Sequence, residues 1–306
     1  MRFAKGHGTQ NDFVVLPDFD DALGLTPELV QRLCDRRAGI GADGVLRVVP
    51  ADAPSAVSAL HDAGLAAVPP DADGLSPEWF MDYRNSDGSL AEMCGNGIRV
   101  FTRYLLDHRL AGTLAFTVGT RAGWRKVRAE PDGSVTAEMG VPAILGQGRA
   151  VIGGLSCTGL RISMGNPHLA VLADGPVESY DLSAAPLLDP AEFPDGANVE
   201  VVRLTGDRRA EMRVYERGSG PTHSCGTGAV AAAVAAALAG AGAGILPALV
   251  PDSASGTWAM QVPGGKLDVT LVGTAALLGG PAVIVAEGEL DPVWLSAVPA
   301  GSLPGR

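Results

Sequence analysis

The chain of 306 residues carries a formal net charge of −11, with 46% hydrophobic and 19% charged residues. This size and composition provide a substantial core for one large domain or for two domains of ordinary size. The acidic balance argues against nucleic acids and anionic membranes as partners, because both bind basic surfaces. Aromatic residues, at 5%, also leave few side chains for stacking on bases.

The predicted strands are short and extend along most of the chain. Most of them alternate apolar and polar residues over a few positions and are bounded by Gly, Pro or Asp. In chain order, the predicted strands are DFVVLPDF (12–19), DGVLRVV (43–49), LAFTVGT (114–120), SVTAEMGV (134–141), RISMG (161–165), HLAVLA (168–173), VEVVRL (199–204), AEMRVYERG (210–218), KLDVTLVG (266–273) and AVIVAEGEL (282–290).

Three stretches are predicted to be helices: residues 26–37, 97–108 and 226–240. The first begins with Thr and Pro, the residue types preferred at an N-cap and first helical position. The third continues as an apolar run to residue 250, but its many Ala and Gly residues favour a buried helix ending near Gly240 over a membrane span. Many strands with few helices indicate a mostly antiparallel α+β fold.

Three other segments carry no predicted chemistry. Residues 50–78 are rich in Pro, Ala and Asp and are predicted to be a surface insertion between strands. The tail at 298–306 is predicted to be loosely packed. The first 13 residues lack the apolar segment of a secretory signal.

The four cysteines form neither a disulfide framework nor a zinc motif in the sequence. A chain of this length without a secretory signal rarely depends on disulfides. Cys34, Cys94, Cys157 and Cys225 also lack the close spacing of zinc ligands. We interpret Cys34 and Cys157 as small buried hydrophobic residues.

The other two cysteines begin matching segments, EMCGNGIRVF (92–101) and HSCGTGAVAA (223–232). Upstream of each, an asparagine precedes a strand, Asn11 in the first half and Asn166 in the second. The order of asparagine, strand, cysteine and helix therefore occurs twice. We infer two similar domains that face each other across a cleft.

A thiol at the start of a helix has a lowered pKa, because the dipole and the free N–H groups favour the thiolate. The backbone N–H groups of Gly95, Asn96, Gly226 and Thr227 provide a cradle for a carboxylate. A carboxylate held between two such helix starts has a thiol on each side. This arrangement suits inversion at the α-carbon of an amino acid, in which one cysteine removes a proton and the other returns one to the opposite face.

These segments closely resemble the diaminopimelate epimerase family, whose members act without pyridoxal phosphate. The stretches that carry the resemblance are GHGTQNDFVVL (6–16), YRNSDGS (83–89), MCGNGIRVF (93–101), SMGNPH (163–168), ANVE (197–200) and YERGSGPTHSCGTGA (215–229). They occur in the family's order, and the set is far more specific than a single Cys-Gly-x-Gly motif.

The resemblance implies a catalytic pair and a set of substrate contacts. The pair is Cys94 and Cys225. The implied contacts are Asn11, Asn85, Gly95, Asn96, Asn166, Asn198, Glu216, Arg217, Gly226 and Thr227. No cofactor or metal is implied.

The resemblance also implies two similar domains related by a pseudo-two-fold axis, each a mostly antiparallel sheet around a central helix, with the active site in the cleft. Alignment by motif gives one domain of residues 1–138 plus 289–306, with the last strand crossing back, and a second of 139–288. The implied activity is interconversion of LL- and meso-diaminopimelate in lysine and peptidoglycan precursor synthesis, in the cytoplasm. The oligomeric state stays open, with a homodimer as one option.

Several of these residues also have a purely structural interpretation. Glu216 and Arg217 suit an ammonium and a carboxylate at the far end of diaminopimelate, rather than a surface ion pair. His168 is predicted to be the proton partner of one cysteine and Glu216 that of the other. The asparagines could be plain turn formers, an interpretation we favour for Asn85 taken alone. Some family members carry glutamine where Gly44 stands, so one polar substrate contact must be lost or replaced by backbone or water.

Three alternatives remain from the residues. A cysteine hydrolase would use Cys225 as the nucleophile and His168 or His223 as the base, but this leaves Cys94 without a role. A proline or hydroxyproline racemase would also use two cysteines, but the Glu-Arg-Gly stretch argues for diaminopimelate. A binding protein without activity would not need two intact thiols.

Overall fold

The computed structural model describes residues 1–65, 78–240 and 255–296. The chain divides into two compact units. Unit 1 comprises Met1–Gly8, Asp12–Ala137 and Ala282–Arg306, and unit 2 comprises Thr9–Asn11 and Glu138–Pro281. The sequence-based division assigned residues 283–288 to the second half. The strand that they form pairs with the first strand of the chain, which places them in unit 1.

Unit 1 begins with alternating strands and helices. Its elements are β1 (Arg2–Gly8), β2 (Asn11–Pro17), α1 (Pro27–Cys34), β3 (Gly44–Pro50), α2 (Pro54–Asp62), β4 (Trp79–Asn85), α3 (Gly95–Asp107), β5 (Ala115–Thr120), β6 (Gly123–Ala129) and β7 (Val135–Gly140), the last of which ends in unit 2.

Unit 2 follows, and the chain then returns to unit 1. The elements of unit 2 are β8 (Ala143–Ile152), β9 (Leu155–Ser163), β10 (Pro167–Leu172), a short 3-10 turn (Val177–Ser179), β11 (Leu187–Leu188), β12 (Asn198–Gly206), β13 (Arg209–Glu216), β14 (Gly220–Thr222), α4 (Gly226–Gly240), β15 (Gly256–Val262), β16 (Gly265–Val272) and β17 (Ala275–Gly280). The return consists of β18 (Val283–Glu289) and α5 (Pro292–Ser296).

The two units repeat one strand topology. In unit 1, β2 is parallel to β3, β3 is antiparallel to β4, β4 is parallel to β5, and β5, β6 and β7 are antiparallel neighbours. In unit 2, β10, β12, β13, β15, β16 and β17 pair in the same series of orientations. The predicted α+β class and the similarity of the two halves are thereby confirmed.

Each unit packs its strands around one central helix. Helix α3 contacts β1, β3, β4, β6 and β18, and α4 contacts seven strands of unit 2. The residues of α4 from Ala229 to Leu238 are all buried. Ala, Gly and Val fill this helix because strands approach it from several sides, and small side chains leave room for close approach. Helix α1 begins as predicted, with the Thr26 hydroxyl accepting a hydrogen bond from the Leu29 N–H at 3.4 Å.

The segment at 50–78 differs from the predicted surface insertion in its described part. Residues Pro54–Asp62 form α2, in which Ala56 and Leu60 are buried against Val49 and Phe80. The pattern was misread because the helix is short and flanked by Pro and Asp. Residues 66–77, the apolar run after Gly240 and the tail lie outside the described residues.

Within residues 1–65, 78–240 and 255–296, no helix combines the length and apolar character needed to span a membrane.

A buried ionic network joins β3 and β4 of unit 1 to the loop after β2 and the turn after β5. The Arg47 guanidinium donates to Asp18 at 2.7 Å and to Asp21 at 2.6 Å, and it lies 3.5 Å from Asp82. Arg121 binds the opposite side of Asp82 at 2.7 Å. Burial alone would raise the pKa of Asp82, but the neighbouring guanidinium groups, Arg121 foremost, lower it on balance. The network therefore depends on its arginines to keep the buried Asp82 carboxylate ionised.

Replacing Arg47 with methionine should destabilise the chain by about 3–5 kcal/mol, since buried carboxylates would lose their counter-charge. The free energy of unfolding can be measured by urea denaturation. Arg203→Met is the matched control, because Arg203 pairs with Glu211 at a partly exposed site, and its loss should change the free energy of unfolding far less. Equal losses for the two variants would contradict the role given to Arg47.

Candidate active site

The two cysteines occupy the same position at two helix starts. Cys94 immediately precedes α3, and its sulfur accepts a hydrogen bond from the Gly97 N–H at 3.4 Å. Cys225 immediately precedes α4, and its sulfur accepts from the Gly228 N–H at 3.4 Å. Each thiol thus caps its helix as a serine hydroxyl would. The first turns of the two helices contain Gly95 with Asn96 and Gly226 with Thr227, which are the residues predicted to cradle a carboxylate.

Cys94 lies beside a buried cation that the sequence analysis missed. Arg99, on the next turn of α3, is fully buried and donates from Nε to the Gly95 carbonyl at 3.2 Å and from Nη2 to Asn96. Burial lowers the pKa of Arg99 to about 10, while electrostatic attraction to Cys94 acts in the opposite direction. The guanidinium therefore favours the thiolate form of Cys94. A lone arginine in the otherwise apolar run GIRVF was the available signal.

Cys225 lies in the opposite electrostatic environment. Its side chain is buried, and burial raises the pKa of the thiol well above its usual value. The carboxylates of Glu216 and Glu200 raise this pKa further, against hydrogen bonds from Thr227 and Gly228 that lower it. Cys225 is therefore held as a thiol, whereas a helix start alone would favour the thiolate.

Glu216 is the carboxyl group that contacts the Cys225 thiol. It ends β13, and burial raises its pKa, against hydrogen bonds with the Thr222 hydroxyl and with Cys225. This position supports Glu216 as the proton partner of Cys225 rather than as an anchor for an ammonium at the far end of a substrate. The next residue, Arg217, is exposed, and its Nη1 donates to the Asp195 carbonyl at 3.1 Å.

His168 is fully buried, and its two ring nitrogens face oxygen atoms. Nδ1 lies 2.7 Å from Glu200 Oε1, and Nε2 lies 3.0 Å from Asn166 Oδ1. Among the described residues of unit 2, it makes no direct hydrogen bond to Cys225. Glu200 was missed in the sequence, although a single carboxylate within the apolar strand NVEVV was a usable signal. A Cβ built on Gly228 would lie 2.7 Å from Glu200 Oε1 and 3.3 Å from Cys225 Sγ, so both groups adjoin this glycine.

Three of the asparagines predicted to contact substrate, Asn166, Asn198 and Asn85, each bind a different part of the chain. Asn166 Nδ2 donates to Thr227 Oγ1 at 3.4 Å, which joins it to the start of α4. Asn198 Oδ1 accepts from the Arg217 backbone N–H at 2.9 Å. Asn85 Nδ2 donates to Ser89 Oγ at 3.0 Å within its own turn, in line with the plain turn-forming interpretation.

Asn11 follows a turn whose backbone is unusual. Thr9 and Gln10 adopt positive φ angles of 50° and 65°, which are uncommon for residues other than glycine. The Thr9 hydroxyl lies 2.7 Å from the hydroxyl of Ser224, the residue before Cys225. This hydrogen bond brings the turn that carries Asn11 to the start of α4 within unit 2.

Gly44 occupies a closed position. A Cβ built there would lie 2.5 Å from the Arg84 carbonyl oxygen and 2.8 Å from a ring carbon of Tyr83. A glutamine, the residue that the resemblance suggested as an alternative to Gly44, therefore has no room in this chain, because the adjacent strand and the Tyr83 ring fill the space.

The remaining two cysteines differ from each other. Cys34 is buried, as predicted, and burial raises its pKa to about 12. Cys157 is only half-buried and lies 3.4 Å from the Leu155 carbonyl, so it is not the core residue that the sequence suggested. Within the described part of the chain, no group of three or more His, Cys, Asp or Glu side chains is arranged to hold a metal ion.

At neutral pH, iodoacetamide should alkylate Cys94 faster than Cys225 or Cys34, because the thiolate is the reacting form. Arg99→Met should slow the alkylation of Cys94 by removing the adjacent positive charge. Arg103→Met is the control on the same helix, since Arg103 forms only a partly exposed pair with Asp107. Peptide mass mapping over time measures each thiol, and an unchanged Cys94 rate in Arg99→Met would refute the electrostatic role of Arg99.

Comparison with known proteins identifies the family of the chain. The family model for diaminopimelate epimerase matches residues 3–145 and 160–289. The diaminopimelate epimerase of Thermobifida fusca (strain YX) is 54% identical over 292 residues, which cover 95% of this chain and 98% of that protein. The enzyme of Mycolicibacterium smegmatis is 50% identical over 310 residues, covering 97% and 99%.

Two solved structures show the same fold at much lower sequence identity. A hydroxyproline epimerase from Agrobacterium vitis matches with a TM-score of 0.63 and 16% identity, covering 99% of this chain and 98% of that chain. A phenazine biosynthesis protein of the PhzF family from Bacillus anthracis also has a TM-score of 0.63 and 16% identity, covering 95% and 98%. Together with the family model and the relatives at about half identity, these findings show that the chain is an isomerase that belongs to the diaminopimelate epimerase family.

Proposed function

We propose that this chain interconverts LL- and meso-2,6-diaminopimelate with Cys94 and Cys225 as its two acid–base groups. One observation carries the proposal: two thiols cap two helices in the same way, yet lie beside charges of opposite sign. A single base would need neither the second thiol nor the contrast between the two environments.

The contrast sets the protonation states before the reaction begins. Arg99 favours the thiolate of Cys94, while burial and the nearby carboxylates keep Cys225 as a thiol. Cys94 then removes the α-proton of one stereoisomer, and Cys225 donates a proton to the opposite face of the carbanion. For the reverse reaction, Glu216 can accept the proton of Cys225, because its carboxyl group contacts that thiol. General acid–base catalysis of this kind requires groups held within hydrogen-bond reach of the proton.

The helix starts also suit the charge that develops on the substrate. Removal of the α-proton delocalises negative charge into the α-carboxylate. We propose that the N–H groups of Gly95 and Asn96, with those of Gly226 and Thr227, bind this carboxylate. Fixed dipoles aimed at developing charge are among the largest contributions to catalysis, and a helix start supplies both the N–H groups and the dipole.

Arg217 is our candidate for recognition of the far end of the substrate. Its guanidinium is exposed and, among the residues that the structure describes, makes one hydrogen bond, to the Asp195 carbonyl, so it can bind a carboxylate in a bidentate manner. Asn198 fixes its backbone. This supports diaminopimelate over proline, which has no second carboxylate.

The hydrolase alternative gains no support from the geometry. Neither histidine proposed as its base hydrogen-bonds Cys225 among the described residues, since His168 binds Glu200 and Asn166, and His223 Nδ1 lies 2.8 Å from Gln10 Oε1. The raised pKa of Cys225 also makes it a poor nucleophile in the resting state.

We place the activity in the cytoplasm, in lysine and peptidoglycan precursor synthesis, as the family implies. The proposed reaction requires a small-molecule substrate and neither a nucleic-acid nor a membrane partner. A homodimer is one option for the assembly.

In heavy water, the product stereoisomer should gain deuterium at its α-carbon early in the reaction, while the remaining starting isomer should not. The reason is that Cys225 and Cys94 exchange protons with solvent but act on opposite faces. Cys94→Ala and Cys225→Ala should each abolish epimerisation and retain proton exchange on one stereoisomer only. NMR of the recovered isomers measures both labels. Equal early labelling of substrate and product by the unmutated chain would falsify the two-thiol mechanism.

Thr222→Val should move the acidic limb of the activity profile to higher pH. The Thr222 hydroxyl donates to the Glu216 carboxylate and lowers its pKa, so removing the donor raises that pKa. A higher pH is then needed to ionise Glu216, whereas the rate on the alkaline side should change little. The control is Thr257→Val, which removes an exposed hydroxyl pair with Thr270. If the two variants have the same profile as the unmutated chain, Glu216 is not the titrating partner.

A further inference from the structure

The two units fill equivalent positions beside their cysteines in different ways. In unit 1, β2 and β3 form the parallel pair next to α3, and in unit 2 the corresponding pair is β10 and β12. The strand register identifies the equivalent residues, which are Phe13 and Leu46 in unit 1 and His168 and Glu200 in unit 2. All four side chains are fully buried.

Members of both pairs lie next to the glycine whose N–H group binds a cysteine sulfur: Phe13 and Leu46 at Gly97, and Glu200 at Gly228. A Cβ on Gly97 would lie 3.1 Å from Leu46 Cδ2 and 3.5 Å from Phe13 Cζ. The Cβ of an alanine at Gly228 would instead meet Glu200 Oε1 at 2.7 Å. Unit 1 therefore shows that this topology can be built with an apolar pair. Apolar replacement of a buried ion pair is often neutral or stabilising, so folding alone does not account for the charges in unit 2.

Both ring nitrogens of His168 face side-chain oxygen atoms. Its Nδ1 faces the Glu200 carboxylate, and its Nε2 faces the carbonyl oxygen of Asn166. A neutral imidazole has one N–H donor, but two oxygen acceptors require two donors. Two N–H donors on one ring are those of an imidazolium, whose positive charge would compensate the Glu200 carboxylate. The second oxygen of Glu200, Oε2, has no hydrogen-bond partner among the described residues, so the carboxylate depends on His168.

The same bonds fix the direction of a longer chain. Because Asn166 Oδ1 accepts from His168, its amide nitrogen points to Thr227 Oγ1 at 3.4 Å. The Thr227 oxygen accepts that bond and lies 3.5 Å from Cys225 Sγ, so its O–H can donate to the sulfur when Cys225 is a thiolate. The contacts therefore form a continuous series from the Glu200 carboxylate through His168, Asn166 and Thr227 to the sulfur of Cys225.

We propose that Glu200 is a positioning residue that holds His168 as an imidazolium and, through Asn166 and Thr227, orients a hydroxyl donor onto Cys225. The inference rests on the proposed role of Cys225 in epimerisation. The donor stabilises the thiolate that Cys225 must become when it acts as the base. Among the described residues, Glu216 is a further ionisable group near His168, and the positive charge of His168 lowers the pKa of Glu216. The Cys225 thiol adjoins Glu200 at Gly228.

The first experiment observes His168 directly and does not depend on enzymatic activity. In a sample with nitrogen-15-labelled histidine, both ring nitrogens of His168 should carry protons at neutral pH. The signals are assigned by their loss in His168→Gln. In Glu200→Gln, the ring should become a neutral tautomer with one proton. A neutral ring in the unmutated chain, or an imidazolium that persists in Glu200→Gln, would overturn the proposal, whereas absence of epimerase activity would overturn only the proposed function.

The second experiment tests the connection to Cys225 through a double-mutant cycle. Glu200→Gln and Thr227→Val should each lower kcat by about 10- to 100-fold, the range expected for a lost hydrogen bond to a charged group. The double variant should be little worse than either single variant, because both remove the same donor. Thr227→Ser keeps the hydroxyl and should retain most of the activity. Additive losses, or an equal loss in Thr227→Ser, would show that Glu200 acts on Cys225 by another route.

A third measurement separates positioning from folding. The double variant His168→Phe with Glu200→Leu places the pair of unit 1 in unit 2. It should unfold at the same urea concentration as the unmutated chain or at a higher one, while epimerisation is lost. A large drop in the unfolding midpoint would show that the charged pair is required for folding, and the functional interpretation would then be wrong.

Discussion

A two-base proton transfer requires two chemically identical groups to differ in protonation at the same moment. Backbone geometry cannot create that difference here, because both sulfurs accept one N–H bond from the residue three positions later at the same distance of 3.4 Å. The difference must come from side chains. A buried arginine beside Cys94 and buried carboxylates beside Cys225 supply it, and their opposite charges shift the same equilibrium in opposite directions.

Because the fold is repeated, the surroundings of Cys94 and Cys225 can be compared position by position. The strand orientations of the two units match, so each residue near Cys225 has a counterpart near Cys94. Arg99 lies five residues after Cys94, and the residue five positions after Cys225 is Val230, which is buried and apolar. The charged residue thus sits on the helix in unit 1 and on the strands in unit 2. The same scaffold tolerates either arrangement, which is expected if the charges serve proton transfer.

The sequence predicted the features that depend on short-range pattern. The Thr26 N-cap, the two helix starts after Cys94 and Cys225, and the repeated order of elements all follow from residues close together in the chain. The environment of each thiol could not be predicted in this way, because it depends on strand register. For example, Glu200 contacts His168, which lies 32 positions earlier in the sequence. The closed space at Gly44, filled by Tyr83 and Arg84 of the adjacent strand, and the packing of α2 against Phe80 are long-range in the same way.

Burial of Cys225 has two opposite consequences for catalysis. A raised pKa makes the thiol a weaker acid, but a substrate carbanion is so basic that proton donation to it stays favourable. The same raised pKa makes the corresponding thiolate a stronger base, which helps to remove the weakly acidic α-proton in the other direction. The unfavourable step is the formation of that thiolate beside the carboxylates of Glu216 and Glu200. The Glu216 carboxyl, which contacts the sulfur, and the hydroxyl of Thr227, 3.5 Å away, are the two groups placed to favour it. Proton acceptance by one and hydrogen-bond donation by the other therefore make a buried thiol usable in both directions of the reaction.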